Sequence, residues 1–371
     1  GDAGGAATSY PALAEDLEPG DRVLLADGAC ELQVAESTSG TVITRVIRGG
    51  QIRSRAGVNV PSERLAIAPV TPKDEEDLRW ALESGTDMIA QSFVRSAQDV
   101  RALAALLPHP RPLLLAKIET SAAVAEVERI VQEADAVMVA RGDLGVETPL
   151  EEIPVVQKRL VALANDTAIP VVVATQMLES MTSSPRPTRA EAGDVAGAAF
   201  DGADAILLSA ETAIGSFPVE AASTAARILE VAETQGPEFL PAGREPGALE
   251  LEELPLARAA AVLARRGGAQ AVVVFTRSGL TARLVSAVRP NVPIYAFTPD
   301  PGAIGRMTLF HGVTPMEIST PEDTDSMISG MEYRLWKRGL VAPDDLVVMV
   351  ASSPAGQTHA NLLKMHRVSA L

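Results

Sequence analysis

Four side chains suited to phosphate chemistry follow three successive apolar stretches of the chain. Lys117 and Glu119 end the first stretch, Asp143 follows the second, and Thr175 ends the third. In a parallel α/β barrel the reactive groups gather at the carboxyl ends of the strands, so we expect these four to meet. Two carboxylates suit Mg²⁺, which prefers oxygen ligands and usually also binds a substrate anion. A lysine between the metal and a bound phosphate would balance charge in phosphoryl transfer.

The spacing of these residues favours a shared site. Lys117 and Glu119 are two positions apart, so on a strand their side chains point to the same face. Taken alone, a solvated lysine–glutamate pair would be the simpler interpretation, but the Arg-Gly-Asp-Leu-Gly stretch at residues 141–145 favours chemistry. Asp143 is predicted to lie in a glycine-flanked turn. Gly142 would let the backbone approach a ligand, and the backbone N–H groups of the turn would hold a carboxylate of the substrate. The alternative is an ordinary turn from strand to helix with an aspartate cap.

Strands and helices alternate from Thr71 onward, and their short links predict a parallel sheet covered by helices. The predicted strands are Asp87–Ser92, Leu113–Ile118, Ala136–Ala140, Val171–Thr175 and Ala205–Ser209. The predicted helices are Lys73–Ser84, Ala97–Leu107, Ala122–Glu133, Pro154–Asn165, Ala190–Asp201 and one that starts near Val219.

Two further regions flank this sheet. A small β cap precedes it, with strands at Arg22–Ala26, Cys30–Ala35 and Thr41–Ile47 and hairpin turns at Asp27-Gly28 and Ser39-Gly40. A linker at Gln235–Pro255 leads to a second α/β unit with strands near Ala271–Phe275, Pro293–Phe297 and Leu346–Val350. The expected domains are therefore residues 1–62 for the cap, 63–234 for the main α/β region, 235–255 for the linker and 256–371 for the C-terminal unit.

Composition limits the class of protein. The 371 residues carry 48 acidic and 32 basic side chains, a net charge of −16 that argues against nucleic acid as the main partner. Cys30 is the only cysteine, so no intrachain disulfide can form and a reducing compartment is expected. No apolar stretch approaches the roughly 18 residues of a membrane span and no signal peptide is evident, so we expect a cytoplasmic protein without a membrane partner.

The chain resembles pyruvate kinase in an ordered set of segments. They are the residues around Ile118, then Met138–Glu147, Ala174–Met181, Pro185–Glu191 and Leu208–Thr212. The resemblance runs from about Pro19 to the C-terminus. It implies a TIM-type (β/α)8 barrel with a small β cap domain and a C-terminal doubly wound α/β domain. It also implies glycolytic transfer of phosphate from phosphoenolpyruvate to ADP, giving pyruvate and ATP.

The resemblance also implies roles for the candidate residues. Lys117 would bind the substrate and stabilise the phosphoryl group in flight, and Glu119 and Asp143 would hold Mg²⁺ or Mn²⁺. Gly142 and Asp143 would contact the substrate. Thr175 would lie beside the carbon that gains a proton, and a water relay is expected because a hydroxyl is a weak acid.

Three residues have two interpretations each. Ser209 and Glu211 are candidates for the proton relay, but a hydrogen-bonded strand end and an acid at a helix start explain them nearly as well. Arg141 would either orient the loop or bridge to another subunit. The Ser92–Arg95 stretch, which also ends a predicted strand, is expected to support the site without taking part in the reaction.

Two more segments have structural explanations. Residues 185–191 resemble the family's loop near the subunit interface, but the favoured interpretation is a rigid helix entry with Thr188 and Glu191 as a capping box. In the C-terminal unit, the family binds phosphorylated allosteric effectors at a loop that corresponds here to Thr276, Arg277, Ser278 and Gly279. A capped turn between strand and helix explains that loop equally well.

The chain departs from the family pattern in two places. Only five strand–helix units are visible where the family has eight, and the absent units would carry a phosphate-binding arginine and the K⁺ ligands. Five strands cannot close such a barrel, so we expect a partial barrel and a chain that is part of a longer one. Ala56, next to Arg55, takes a position where the family has a lysine that contacts the nucleotide.

Two alternatives to the enzyme stay open. A non-catalytic relative would act as a regulatory subunit through Thr276–Ser278. A Mg²⁺-dependent lyase or aldolase acting on pyruvate enolate would also use two carboxylates, but Lys117, the cap and the C-terminal unit argue against it. If the complete protein follows the family, it is a homotetramer.

Overall fold

The computed structural model describes residues 5–26, 28–38, 40–61, 64–236, 239, 252–352 and 359–369. These residues form a four-stranded antiparallel sheet, a five-stranded parallel sheet and a five-stranded mixed sheet. No helix in the described part of the chain is long and apolar enough to cross a membrane.

The first sheet is the cap. Helix α1 (Leu13–Asp16) precedes it, and its strands lie in the order β3-β2-β1-β4, each antiparallel to its neighbour. The strands are β1 (Arg22–Leu25), β2 (Cys30–Thr38), β3 (Thr41–Arg48) and β4 (Val58–Asn59). Their pairing confirms the two predicted hairpins, although Asp27 and Ser39 of the turns lie outside the described residues.

The second sheet holds the candidate site. Its strands run in chain order and in parallel, as the alternating pattern predicts. They are β5 (Met88–Gln91), β6 (Leu113–Ile118), β7 (Ala136–Ala140), β8 (Val171–Ala174) and β9 (Ala205–Leu207). Each edge strand, β5 or β9, pairs with one neighbour only, so within the described residues the sheet is an open part of a barrel.

Helices connect and cover these strands. They are α2 (Pro72–Glu83), α3 (Ala97–Ala104), α4 (Ser121–Ala125), α5 (Val127–Glu133), α6 (Arg141–Glu147), α7 (Ile153–Asp166), α8 (Arg189–Asp201), α9 (Ala210–Ala213) and α10 (Pro218–Gln235), with 3₁₀ turns at Leu150–Glu152 and Glu179–Thr182. The single helix predicted at Ala122–Glu133 is instead two helices, because Glu126 between them has φ −104° and ψ 9°, outside the helical region.

Both faces of the parallel sheet are buried. Val139 and Val173 are 0% exposed against the helices, and Met138 and Val172 belong to a separate apolar cluster on the other face. Successive strand residues point to opposite faces, which explains why these strands are apolar along their whole length.

The C-terminal sheet has the order β12-β11-β10-β13-β14, parallel except for β14, with an apolar core on each face. From β10 the chain adds β11 and β12 on one side of the sheet, and it then crosses back to add β13 and β14 on the other side. This is a doubly wound arrangement. Its elements are α11 (Leu254–Gly267), β10 (Ala271–Phe275), α12 (Leu280–Ala287), β11 (Ile294–Thr298), α13 (Pro301–Met307), β12 (Val313–Glu317), α14 (Thr324–Lys337), β13 (Leu346–Ala351) and β14 (Leu362–Arg367).

The C-terminal domain packs against the amino ends of the parallel strands. Arg289 donates to the carboxylate of Asp204, just before β9, over 3.0 Å. Gly305 lies so close to Asp87, just before β5, that a Cβ there would be 2.1 Å from the carboxyl group. The carboxyl ends of the strands, where chemistry is expected, lie at the opposite end of the sheet.

Candidate active site

Lys117 and Glu119 meet at the carboxyl end of β6. Lys117 Nζ lies 3.0 Å from Glu119 Oε2, and the Lys117 side chain is 24% exposed whereas that of Glu119 is 0% exposed. Lys117 Nζ also donates to Ser92 Oγ, at the end of neighbouring β5, over 2.9 Å. The two side chains thus share a face of the sheet, as their spacing predicts. The Lys117 side chain is partly exposed to solvent, whereas that of Glu119 is fully buried.

The carboxylate of Glu119 is buried, and only one of its oxygens has a backbone donor. Its Oε1 accepts the backbone N–H of Phe93 at 2.7 Å, while the buried Oε2 faces the Lys117 ammonium at 3.0 Å and has no backbone donor among the described residues. Burial raises the pKa of Glu119 above its usual value, the Phe93 N–H and Lys117 oppose this rise, and the charge of Asp143 adds to it. A buried carboxylate next to a second carboxylate is costly unless cations balance the two charges.

Asp143 lies in a helix, so the predicted glycine-flanked turn is wrong. The residues after β7 form α6 directly, and Asp143 is in its first turn. Gly142 is held to Thr175 by a hydrogen bond: its N–H donates to Thr175 Oγ1 over 2.7 Å, and a Cβ there would make only an ordinary contact, 3.5 Å from the threonine side chain. The first turn of α6 is thereby fixed to the end of β8.

The backbone just after β8 is strained. Thr175 has φ 69° and Gln176 has φ 54°, and a β-branched residue rarely adopts this left-handed conformation. The Thr175 hydroxyl donates to Ala174 O at 2.6 Å as well as accepting from Gly142. Strain of this kind persists only where the surroundings enforce it, and it is common at reactive sites.

Arg141 holds this strained backbone in place. Its Nη2 donates to Thr175 O at 2.6 Å, and its Nη1 pairs with Asp194 of α8, also at 2.6 Å. Gln157 of α7 accepts a longer hydrogen bond of 3.4 Å. With its side chain 10% exposed, Arg141 is arranged to orient the loop after β8, which is one of the two roles considered for it.

Ser209 and Glu211 form a local anchor after β9. Glu211 is 0% exposed, and its two oxygens accept the backbone N–H groups of Leu178 at 3.0 Å and Ser209 at 2.8 Å. These bonds match the structural interpretation, since they tie the loop after β8 to the start of α9. The described hydrogen bonds join neither residue to Thr175.

The remaining predictions concern supporting segments. Thr188 and Glu191 form the predicted capping box at the start of α8, and Glu191 also accepts hydrogen bonds from Ser180. In the C-terminal domain, Thr276 Oγ1 accepts the N–H of Gly279, which has φ 91°. The proposed effector loop is therefore built as a capped turn into α12.

Sequence reasoning missed the partners that place the main residues. Asp194 and Gln157 hold Arg141 from two helices that are distant in the chain, and neither carries a pattern that would identify it. Ser92 was expected to support the site, but its bond to Lys117 depends on how β5 and β6 pair.

The two carboxylates fit a divalent metal. Glu119 and Asp143 interact electrostatically, and Glu119 Oε2, whose partner is the Lys117 ammonium at 3.0 Å, can also bind a metal because a carboxylate oxygen has more than one lone pair. The described residues contain no group of three or more histidine, cysteine, aspartate or glutamate side chains that could hold a metal. A metal here would need substrate or water oxygens to complete its shell, which is how Mg²⁺ usually binds in phosphoryl transfer.

Comparison with known proteins agrees with this geometry. Residues 2–222 match the family model "Pyruvate kinase, barrel domain", and residues 255–366 match "Pyruvate kinase, alpha/beta domain". A pyruvate kinase from Corynebacterium efficiens is 41% identical over 97% of this chain and 76% of its own length. One from Corynebacterium glutamicum is 40% identical over 97% of this chain and 75% of its own.

A solved structure gives the same result. A pyruvate kinase from Cryptosporidium parvum matches with a TM-score of 0.86 and 32% identity, over 97% of this chain and 74% of that one. With matches of this extent to both domains, the chain belongs to the pyruvate kinase family.

Proposed function

We propose that the cluster at the carboxyl ends of β6, β7 and β8 transfers a phosphoryl group from phosphoenolpyruvate to ADP. The observation that supports this proposal best is the buried Glu119 carboxylate, whose Oε2 lies 3.0 Å from the Lys117 ammonium and whose pKa is raised in part by the charge of Asp143. Such an oxygen suits a metal that also binds the substrate, and the ammonium beside it suits a migrating phosphoryl group.

Glu119 and Asp143 would hold Mg²⁺ or Mn²⁺, which supplies positive charge against the substrate oxygens when bound. Lys117 would contact the phosphoryl oxygens. As the phosphorus–oxygen bond to the enol breaks and the bond to the terminal phosphate oxygen of ADP forms, its ammonium would stabilise the spread negative charge. The enolate left behind then takes up a proton at its methylene carbon to give pyruvate.

Thr175 is proposed to guide that proton and to shape the substrate pocket. Because its hydroxyl already donates to Ala174 O, it would pass a proton only through a rearranged bond or a water. Gly142 and Asp143 would contact the substrate from the first turn of α6. Arg141 is proposed to act on Thr175 as a positioning residue, and Ser209 and Glu211 to hold the loop that Arg141 supports.

Other properties follow from the family and stay proposals. They are a requirement for K⁺, binding of a phosphorylated effector near Thr276, Arg277, Ser278 and Gly279, a homotetramer and a cytoplasmic location. The exposed Arg277 and the hydroxyl of Ser278 are the side chains of that loop most accessible to an anion.

The test is ATP formation by the 371-residue chain from phosphoenolpyruvate and ADP with Mg²⁺ and K⁺. Lys117→Met should abolish turnover, while Lys73→Met, which removes a lysine 68% exposed on α2, should leave it unchanged. Proton exchange at the pyruvate methyl group in D₂O measures the enolate step without nucleotide. A folded chain that neither forms ATP nor exchanges these protons would reject the catalytic proposal and favour the regulatory alternative.

A further inference from the structure

Ser92 makes a contact with Lys117 to which the proposed function assigns no role. It follows β5 directly, and its hydroxyl accepts a hydrogen bond from Lys117 Nζ at 2.9 Å. The other polar partner of Nζ among the described residues is Glu119 Oε2, at 3.0 Å. A lysine ammonium has three donors, so one remains for a substrate oxygen.

The two partners of Nζ differ in charge, and the difference matters. A lysine ends in a compact charge on a flexible four-carbon chain, so a single carboxylate partner would draw the ammonium fully onto itself. The hydroxyl of Ser92 is neutral. It holds Nζ on the side of β5 without cancelling its charge, so the ammonium is shared between the hydroxyl and Glu119 Oε2.

The residue after Ser92 fixes the other member of the pair. The backbone N–H of Phe93 donates to Glu119 Oε1 at 2.7 Å, and Phe93 adopts φ 52° while its side chain is 60% exposed. A left-handed phenylalanine that gains little burial is unusual, and here this backbone conformation directs its N–H at a buried carboxylate. Ser92 and Phe93 therefore hold the ammonium and the carboxylate separately.

We propose that Ser92 is a positioning residue that acts through Lys117, holding its ammonium between β5 and β6 so that one N–H faces the substrate and the ammonium is not drawn wholly onto Glu119, the residue proposed to bind the metal. The consequence for the reaction rests on the proposed function, but the contact between Ser92 and Lys117 can be tested without it.

The first test is chemical labelling of Lys117 in the full chain without metal or substrate. The chain has five lysines, at positions 73, 117, 158, 337 and 364. Acetylation by limiting acetic anhydride is measured by mass spectrometry, and the four lysines other than Lys117 serve as internal standards. Ser92→Ala should raise the labelling rate of Lys117 by about threefold to tenfold relative to these standards, because an acceptor of a charged donor is lost. Ser92→Thr, which keeps a hydroxyl, should restore the slow rate.

The second test measures Mn²⁺ binding by electron paramagnetic resonance, with oxalate as an enolate mimic. Ser92→Ala should weaken Mn²⁺ binding about tenfold, the size typical for residues that orient a metal site from behind. In a Lys117→Met background the same change should have no further effect, because the residue through which Ser92 acts is gone. Circular dichroism melts check that each variant is folded.

Two results would overturn the inference. One is a Lys117 labelling rate that is the same in Ser92→Ala as in the unchanged protein. The other is an equal loss of Mn²⁺ binding with and without Lys117, which would make the role of Ser92 merely structural. If Glu119→Gln leaves Mn²⁺ binding intact, the proposed metal site fails instead, and the labelling result alone then decides the role of Ser92.

Discussion

The guanidinium of Arg141 donates to the backbone oxygen of Thr175 over 2.6 Å and so connects the carboxyl ends of β7 and β8. Thr175 in turn accepts the N–H of Gly142, the residue after Arg141, at 2.7 Å. Both bonds run from the start of α6 to Thr175, one to its backbone oxygen and one to its hydroxyl. Together they enforce the left-handed backbone at Thr175, which would otherwise relax.

Arg141→Lys should loosen this connection. A lysine cannot reach Asp194 and Thr175 O together, because it lacks the planar fork of donors that arginine has. We expect faster amide hydrogen exchange across residues 175–178 and a fall in kcat of about 10-fold to 100-fold with a smaller change in KM. Asp194→Asn, which removes the ion pair but keeps Arg141 on Thr175, is the matched control and should have a weaker effect. Equal effects of the two variants would contradict a positioning role through Thr175.

Glu119→Gln should stabilise the protein near neutral pH while removing the metal site. The pKa of Glu119 is raised in the folded state, mainly by burial. For a carboxyl with a raised pKa, the stabilising contribution is present below its unfolded value of about 4.3 and is lost as pH rises through the folded value. Urea unfolding between pH 4 and pH 8 should show this loss in the unchanged protein, and Glu119→Gln should abolish it.

The expected gain of the Glu119→Gln variant at pH 7 is about 1 kcal/mol, a typical size when an active-site group that is costly to bury is replaced. Glu151→Gln, which replaces an exposed carboxylate in the 3₁₀ turn at Leu150–Glu152, controls for removal of a charge. A variant that is less stable than the unchanged protein at pH 7 would mean that the ion pair with Lys117 outweighs the burial of the carboxylate.

The ion pair between Arg289 and Asp204 should hold the two large domains together. Both side chains are buried, 6% and 7% exposed, and Arg289 also donates to Gly202 O at 2.9 Å. Arg289→Met would leave the Asp204 carboxylate without its cation, a loss that costs about 3–5 kcal/mol for a buried pair. Arg266→Met, on the exposed end of α11, should change stability by less than about 0.5 kcal/mol.

The Arg289→Met variant should also separate thermal unfolding into two transitions, because the coupling between the domains is weakened. Differential scanning calorimetry measures both effects. A single transition at the unchanged temperature would show that apolar packing, and not this ion pair, joins the domains.

His359 should make the C-terminal domain less stable as pH rises. Its Nδ1 lies 2.6 Å from Oε1 of Glu253, a buried carboxylate just before α11, and this hydrogen bond raises the pKa of His359. Because the folded pKa is raised, the stabilising contribution is complete below the unfolded pKa of about 6.5 and is lost as pH rises through the folded value. As pH rises from about 6.5 through the folded pKa of His359, the melting temperature of the unchanged protein should therefore fall more steeply than that of His359→Gln. Parallel curves for the two proteins would rule out this contribution.

The sequence by itself determined the family, the order of the elements of the parallel sheet and the residues that are proposed to carry the chemistry. The apolar runs at Leu113–Ile118 and Ala136–Ala140 have the predicted bounds in the structure, because strands buried on both faces tolerate few polar residues. The spacing of Lys117 and Glu119 placed both on one face, because side chains alternate along a strand.

Only the tertiary structure decided how these residues are held. Asp143 proved to lie in a helix, Thr175 in a strained backbone, and Arg141 between helices that are far apart in the chain. The burial of Glu119 and the bond between Ser92 and Lys117 depend on the pairing of β5 with β6. Local patterns identify which groups are present, whereas their exposure, partners and charge depend on contacts between segments that the chain brings together only when it folds.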